Sequence, residues 1–460
     1  MSKGLRGWMI VGWLLAVGVA SVMAAPLAYQ GPLPPPTSGY GAWGEHEVAA
    51  PLTFDFQSQG YTNALTLYFP ADQREAAPTI FFAPGWNVPC EGYGELLRFL
   101  ASKGYVAVCD DYHEDSGAIG AQLRESFIEA ARRYPDRIRT DRVGLIGHSA
   151  GAGLLPSVAY ALIRSEGWGD EGFFIFSSAP WIDFDMTDAM AADFPAQVKL
   201  IVQTYEEDTT TDLRTYIQAF EPLPIPDTEK EYLTLRTTVV GDYTYRADHG
   251  VIGTDRFDAL DYEGVFRLVE ALADYTFNGS EAGKAVALGD GIEAQIEMAG
   301  LRDLISTDDP RPVPGLATDY PCDIADNPRR DHCDDYDGEL PASVLVEPVK
   351  HALLLNVSRP LFRWEPSPTA TDYYLQVRPL LESGEPDWTT SYGESVTADE
   401  AGCADGAALC VHPLTSALPA GRYVWWILPS NDAKGGVWSR RGYFSLPTDF
   451  LFLPLVVNAP

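Results

Sequence analysis

The stretch of sequence that most clearly indicates the fold covers residues 142–153 and reads RVGLIGHSAGAG. Its apolar run, Val143–Ile146, is typical of a buried β-strand. The small residues after Ser149 are typical of a helix that begins in tight contact with its surroundings. Between strand and helix, the pattern G-x-S-x-G at residues 147–151 predicts a sharp turn that pushes a serine hydroxyl out of the sheet. The stretch therefore predicts that Ser149 is a nucleophile at the carboxyl end of a strand.

The rest of the chain divides into regions of different composition. Residues 51–306 alternate β-rich apolar runs with helical stretches, which predicts an α/β domain with a mostly parallel sheet flanked by helices. Residues 307–342 are rich in proline and aspartate and are predicted to form an acidic linker. Residues 343–447 contain short alternating strands between turns, which predicts a small antiparallel β-sandwich. Residues 25–50 are predicted to be an extended lead-in.

Both ends of the chain carry apolar segments. Lys3 and Arg6 precede an apolar run and a small-residue site before Ala25, which is the pattern of a secretory signal peptide over residues 1–24. We therefore expect a secreted, extracellular protein without a membrane span, and a membrane anchor at this end is the alternative. The apolar tail, residues 448–460, is predicted to be either a final edge strand or a segment that retains the protein at a surface.

The chain is strongly acidic. It contains 32 basic and 65 acidic residues, a formal net charge of −33, and loss of Lys3 and Arg6 with the signal would change this charge to −35. A field of this sign repels nucleic acid and anionic membranes, so neither is an expected partner.

The six cysteines fall into three pairs that are close in sequence. In an exported protein, this spacing predicts disulfide bonds. The pairs are Cys90 with Cys109, Cys322 with Cys333, and Cys403 with Cys410. A zinc site is disfavoured because no CxxC or HExxH pattern accompanies the cysteines, and the acidic linker does not match a calcium-loop pattern. We expect no metal and no cofactor.

A serine nucleophile needs a base and an acid that orients this base. On an α/β sheet with a G-x-S-x-G turn, the chain order is serine, acid, histidine. His249 is the only histidine between Ser149 and the end of the α/β pattern. Asp208 follows the end of a predicted strand and is the predicted acid. It stands in an acidic run that also contains Glu206, Glu207 and Asp212, and these remain alternatives.

Acyl transfer also needs two N–H groups that bind the oxyanion. The first is predicted to be the backbone N–H of Ala150, directly after the nucleophile. The second is assigned to the N–H of Trp86, in the loop after an early strand, where Gly85 allows a close approach of the backbone.

Four motifs resemble a known group of enzymes. They are APGW at residues 83–86, LASKGYVAV at 100–108, DRVGLIGHS at 141–149 and SAPW at 178–181. In this order they resemble secreted α/β-hydrolases that include cutinase-like polyester hydrolases, dienelactone hydrolase relatives and platelet-activating-factor acetylhydrolases. The resemblance covers residues 52–280 and implies the α/β-hydrolase fold.

The resemblance also implies a substrate-binding role for two aromatic residues. Trp181, in SAPW, corresponds to an aromatic wall beside the scissile ester in the polyester hydrolases, and Trp86 would line the same cleft. Core packing is the alternative for both side chains. The sequence departs from the polyester hydrolases at Ala150, where methionine is usual, and at Trp86, where tyrosine or phenylalanine is more frequent. These departures weigh against plastic or cutin as the substrate.

Together these features predict an extracellular serine hydrolase that cleaves carboxylic esters through an acyl-enzyme. The expected substrate is an ester with an apolar acyl or aryl group, and hydrophobic or polymeric esters are among the candidates. One alternative is a lipid or amide hydrolase with the same triad. Another is an inactive binding or adhesion protein that uses its β-sandwich. This sandwich resembles a fibronectin type III domain, and we favour a spacer or surface-binding role over carbohydrate binding.

Overall fold

The computed structural model describes residues 28–447, except 114–116, 253–255, 308, 313–316, 337 and 405. The predicted signal peptide and the predicted apolar tail lie outside the described residues. The described part of the lead-in runs along the α/β domain, where the N–H of Gln30 donates to the carbonyl of Phe257 (2.8 Å) and the hydroxyl of Tyr40 donates to Asp274 (2.6 Å).

The first part of the chain forms a large sheet and a short hairpin. The strands are β1 (Leu52–Ser58), β2 (Tyr61–Tyr68), β3 (Ala77–Ala83), β4 (Val106–Asp111), β5 (Ile138–His148), β6 (Phe173–Ser178), β7 (Lys199–Tyr205), β8 (Lys230–Leu235), β9 (Thr238–Val240), β10 (Tyr243–Tyr245) and β11 (Ile305–Thr307). The sheet has the order β1-β2-β4-β3-β5-β6-β7-β8-β11, and β9 pairs with β10 as a separate hairpin. The six central strands of this order, β4 to β8, are parallel to one another. At the two edges the pairs β1–β2, β2–β4 and β8–β11 are antiparallel.

Helices cover both faces of this sheet. They are α1 (Gly94–Ser102), α2 (Ile119–Arg133), α3 (Ser149–Gly153), α4 (Leu155–Glu166), α5 (Asp188–Ala192), α6 (Leu213–Phe220), α7 (Arg267–Asn278), α8 (Glu281–Ala287) and α9 (Glu293–Ile296). The 3₁₀ turns are Cys90–Tyr93, Asp227–Glu229 and Arg330–Tyr336, and a π-helical turn at Asp261–Phe266 leads into α7.

Each face of the sheet has its own hydrophobic core because alternate strand residues point to opposite faces. Phe82 of β3 packs in the core that includes α1 and α7, whereas the adjacent Phe81 packs in the core that includes α2, α4 and α6. Both side chains are fully buried. The prediction of a mostly parallel sheet flanked by helices is confirmed. The end of the predicted α/β region, up to residue 306, contains α8 and α9, which precede the edge strand β11.

The C-terminal part forms two smaller sheets. Their strands are β12 (Val344–Glu347), β13 (Ala352–Leu353), β14 (Leu361–Glu365), β15 (Asp372–Pro379), β16 (Tyr392–Thr397), β17 (Cys410–Pro413), β18 (Gly421–Ser430) and β19 (Gly442–Leu446). The orders are β12-β14-β17 and β13-β19-β18-β15-β16, antiparallel apart from β13 with β19. Trp364, Trp425 and Phe444 are buried in a common core. The arrangement is compatible with the predicted β-sandwich.

Part of the predicted linker is folded against the α/β domain. The N–H groups of Asp319 and Tyr320 donate to the carbonyls of Thr209 and Thr210, both at 2.9 Å. We call residues 318–333 the strap. The strap begins as an extended segment beside the acidic run and is closed by a disulfide near its end. These residues therefore form part of the surface of the α/β domain as well as a connection.

All six cysteines form disulfides with the partners that their spacing suggests. The bonds join Cys90 to Cys109, Cys322 to Cys333, and Cys403 to Cys410. The first bond links the turn after β3 to the end of β4. These two strands are parallel neighbours in the sheet, which brings the two cysteines close together. The bond lies beside the loop that carries Trp86.

Candidate active site

Most of the predicted site residues converge because they follow the carboxyl ends of the parallel strands β3, β5, β6 and β7, and His249 joins them from the loop after the β9–β10 hairpin. β3 lies next to β5, with Ala83 paired to Gly147, although β4 comes between them in sequence. The connections that leave β3 and β5 run over opposite faces of the sheet, since α1 packs in one core and α4 in the other. Such a point leaves a crevice at the strand ends, where α/β proteins commonly bind ligands.

Ser149 lies on the sharp turn between β5 and α3. Its φ is 53°, a left-handed conformation that is uncommon for a residue with a side chain. The turn is crowded on both sides of the serine. A Cβ on Gly147 would lie 2.7 Å from the backbone of Ala152, and a Cβ on Gly151 would lie 2.4 Å from the carbonyl oxygen of Ala83. Glycine at these two positions is therefore required by close backbone contact, which is the physical reason for the motif.

The structure brings Ser149, His249 and Asp208 together in a hydrogen-bonded chain. The Ser149 Oγ lies 2.9 Å from Nε2 of His249, and Nδ1 of the same ring lies 2.9 Å from Oδ2 of Asp208. His249 follows the β9–β10 hairpin, and the N–H of Glu207 donates to the carbonyl of Ala247 (2.8 Å), which holds the acid and histidine loops side by side. This geometry allows His249 to remove the hydroxyl proton while the carboxylate fixes the ring.

Asp208 is held as an anion. Burial raises the pKa of this carboxyl, but the hydrogen bond with His249 and the N–H groups of Thr210 and Thr211 lower it by more, so that the net shift is downward. The Thr210 N–H lies 2.8 Å from Oδ1, and the Thr211 hydroxyl lies 3.1 Å from Oδ2. The carboxylate is therefore available to stabilise a positively charged imidazole.

The other acidic residues of the run have different contacts. Glu206 accepts a hydrogen bond from the N–H of Thr237 and pairs with Arg302. Glu207 is exposed. Asp212 caps α6 by accepting the Arg214 N–H at 3.0 Å. Asp208 is the member of this run that contacts His249.

The predicted oxyanion donors lie close to Ser149, one in the loop after β3 and the other in the first turn of α3. A Cβ on Gly85 would lie 3.3 Å from the Ser149 Cβ, so the loop that carries Trp86 passes directly beside the nucleophile. Ala150 is in the first turn of α3, where N–H groups have no partner within the helix. Among the described residues, neither the Trp86 nor the Ala150 N–H has a hydrogen-bond acceptor. Both can therefore donate to a substrate oxygen.

The predicted substrate-binding residues Trp86 and Trp181 lie together at the edge of this site and are not core residues. The N–H of Trp181 donates to the carbonyl of Ser149 (3.0 Å), and its ring meets that of Trp86 edge to face at 6.3 Å. Trp86 is 46% exposed. The two rings therefore form an aromatic surface that solvent or a ligand can reach beside the nucleophile.

A second histidine, His148, links the loops of the site. Its Nε2 lies 2.8 Å from the carbonyl oxygen of His249, so this nitrogen carries the proton and donates. Its Nδ1 then accepts from the hydroxyl of Tyr93 (2.9 Å), which in turn accepts the N–H of Gly85 (2.9 Å). Burial and the neighbouring His249 lower the pKa of His148 to about 3, so that the ring is neutral. The network connects the loop that carries Trp86 to the loop that carries His249.

Replacing His148 with phenylalanine is expected to lower kcat for ester hydrolysis by roughly 10- to 100-fold, because the His249 loop loses its hydrogen bond while the ring volume is kept. KM is expected to change little. Tyr93→Phe, which removes the hydroxyl's bonds to His148 and to the Gly85 N–H but keeps the bond from His148 to the His249 carbonyl, is the matched control and should have a smaller effect. Steady-state kinetics with circular dichroism check this prediction. An unchanged kcat in a folded His148→Phe protein would show that the network does not position the base.

No group of three or more histidine, cysteine, aspartate or glutamate side chains in the described part of the chain is arranged to hold a metal ion. None of its helices combines the length and apolarity needed to cross a bilayer.

Comparisons with known proteins find distant likenesses among solved structures alone. The sequence matches no protein-family model and no curated protein. Among solved structures, a chain from a structural analysis of two esterases of the fungus Rhizomucor miehei is similar, with 16% sequence identity and a TM-score of 0.39, and the match covers 52% of this chain and 86% of that chain.

Proposed function

We propose that the protein is a serine hydrolase of the α/β-hydrolase fold that cleaves carboxylic esters through an acyl-enzyme. The observation that carries the proposal is the chain of hydrogen bonds from Ser149 through His249 to Asp208, with distances of 2.9 Å at both steps. The order serine, acid, histidine along the chain and the G-x-S-x-G turn at the end of β5 support the same assignment.

The proposed reaction has two halves. The Ser149 Oγ forms a bond to the ester carbonyl carbon while His249 takes the hydroxyl proton, and the N–H groups of Trp86 and Ala150 bind the oxyanion. The bond to the alcohol then breaks, and His249 gives the proton to the leaving oxygen. In the second half, His249 takes a proton from a water that attacks the acyl carbon, the bond from this carbon to Ser149 Oγ breaks, and His249 returns the proton to Oγ as the acid is released. The chemistry needs only side chains and backbone groups of this chain.

The substrate class follows from the surface around the triad. Trp86 and Trp181 present aromatic rings beside Ser149, which favours esters with an apolar acyl or aryl group. The predicted export of the chain places this activity outside the cell, and its three disulfides are compatible with an oxidising environment.

Labelling with a fluorophosphonate tests the nucleophile directly, because such probes react with an activated serine. We expect the label on Ser149, identified by peptide mass mapping, and turnover of p-nitrophenyl esters of short to medium chain length. Absence of both labelling and turnover in the folded protein would contradict the proposal and favour a binding protein.

We further propose that residues 343–447 form a separate domain that is dispensable for the chemistry. A chain that ends after Gly338 keeps the strap and is expected to hydrolyse small soluble esters with unchanged kcat/KM, because the triad and oxyanion residues all lie within the α/β domain. Its stability should fall, since Glu365 pairs with the buried Arg236 and Arg440 pairs with the buried Glu231 across the two parts. Kinetics and thermal melts check both expectations.

A shorter chain that ends at residue 306 provides the matched comparison. This protein also loses the strap, which donates two hydrogen bonds to the loop after Asp208, and we expect it to be less active than the chain ending after Gly338. If the longer truncated chain is folded but inactive on soluble esters, the C-terminal domain contributes to the site and the domain proposal is wrong.

A further inference from the structure

An aromatic surface extends from the nucleophile loop to a part of the chain far away in sequence. The ring of Trp181 contacts Phe184 at 5.3 Å between centroids and Tyr320 at 5.2 Å, in addition to Trp86. Trp86 is 46% exposed, Phe184 37% and Tyr320 49%. The four rings therefore form a continuous surface that reaches solvent next to Ser149. Exposed apolar surface of this kind commonly marks a place where a ligand binds.

Tyr320 belongs to the strap, and the strap is fixed to the loop that carries Asp208. Its backbone pairs with the loop that follows Asp208, and the N–H of Cys322 donates to Oδ2 of Asp212 at 3.0 Å. Asp212 is buried. Because the backbone on both sides of Tyr320 is hydrogen-bonded, the ring is presented to Trp181 from a fixed position.

The far end of the strap is fixed as well. The Cys322–Cys333 disulfide closes it, and the side-chain amide of Asn327 donates to the Cys322 carbonyl at 2.8 Å. Arg329 donates to the carbonyl of Gln218 on α6 (3.0 Å) and forms an ion pair with Asp188, at the start of α5. The strap thus joins the loop that carries Asp208 to the segment that carries Trp181 and Phe184. A site held in this way loses little entropy when a ligand binds.

We propose that Tyr320, with Trp86, Trp181 and Phe184, forms a subsite that binds an aromatic ring of the ester beyond the scissile bond. The inference rests on the proposed hydrolase function and narrows its substrate class to esters that carry a ring on the acyl or the alcohol side. Aromatic rings favour edge-to-face and offset contacts with one another, at centroid distances like those found between these four side chains. Tyr320 lies outside residues 52–280, which are the residues that resemble known α/β-hydrolases. This part of the specificity therefore comes from the strap.

The test compares two esters. The first is 2-phenoxyethyl benzoate, which has one scissile bond and a ring on each side of it, and the second is ethyl acetate, which has no ring. For Tyr320→Ala we expect kcat/KM on the two-ring ester to fall about tenfold through KM, and kcat/KM on ethyl acetate to stay the same. Tyr320→Phe keeps the ring and should match the parent. Trp388→Ala removes an aromatic residue that is 63% exposed on the C-terminal sheets and is the matched control.

Two results would overturn the subsite. One is an unchanged KM of Tyr320→Ala for the two-ring ester. The other is an equal loss on both esters, which would mean that Tyr320 only supports the loop that carries Asp208.

A binding measurement separates this inference from the proposed function. Calorimetric titration of the Ser149→Ala protein with 2-phenoxyethyl benzoate measures binding without turnover, and adding Tyr320→Ala should weaken this binding about tenfold. If the parent protein hydrolyses neither ester but this dependence on Tyr320 is found, the hydrolase proposal fails and the aromatic subsite stands. If the two-ring ester does not bind, or binds equally well without the Tyr320 ring, the subsite is wrong whatever the activity.

Discussion

Ser149→Ala is expected to abolish ester hydrolysis, with a fall in kcat of about 10⁴-fold or more, while the protein stays folded. The Oγ is the atom proposed to bond to the substrate, and no other group at the turn can replace it. Loss of this single oxygen leaves almost no cavity. The backbone at this position is left-handed, with φ of 53°. Alanine has a Cβ like serine, so the substitution should not change the backbone strain. Folding should therefore be little affected.

Kinetics on p-nitrophenyl acetate, fluorophosphonate labelling and circular dichroism check this expectation together. Ser383→Ala, at an exposed serine in the C-terminal part, is the control and should leave rate and labelling unchanged. Activity of the Ser149→Ala protein within tenfold of the parent would place the nucleophile elsewhere.

Asp208→Asn is expected to lower kcat by about 10³- to 10⁴-fold with little change in KM. The amide oxygen can still accept the N–H groups of Thr210 and Thr211. The amide nitrogen, however, would face Nδ1 of His249 and donate to it, which favours the ring form with a proton on Nε2. That form cannot remove the proton of Ser149, and the positive charge on the ring in the transition state would also lose its partner.

The acidic run supplies matched controls for this substitution. Glu207→Gln changes an exposed side chain and should have no effect on the rate. Asp212→Asn weakens the cap of α6 and the bond to Cys322, so it should lower stability more than kcat. A large kcat loss in either control, with a small one in Asp208→Asn, would move the role of the acid to another residue.

The sequence was informative wherever function depends on local geometry. The G-x-S-x-G turn is recognisable because its glycines are required by contacts with near neighbours in the fold. Asp208 and His249 could be selected because strand ends and chain order restrict the choice. The short strand at the edge of the sheet could not be predicted in this way, because β11 has three residues, too few for a periodic pattern.

Residues that act through distant contacts could not be assigned in this way. His148 precedes Ser149, outside the chain order expected for the base, and nothing in the sequence around it indicates a hydrogen bond to Tyr93, 55 positions away. The strap was interpreted as a linker because proline and aspartate are typical of exposed segments. Its attachment depends on pairs such as Asp212 with Cys322, 110 positions apart, which no local pattern encodes.

The disulfides have a consequence for how the chain matures. The paired cysteines are 19, 11 and 7 positions apart, and no bond crosses from the α/β domain to the C-terminal sheets. Each partner is therefore the nearest cysteine along the chain, and closing such short loops carries a small entropic cost. During the export that the sequence predicts, each bond can form as soon as its own segment has emerged. Correct pairing then needs no long-range search and little help from an isomerase, and chemical reduction removes no covalent link between the two parts of the molecule, which stay connected by the polypeptide chain and by the contacts they share.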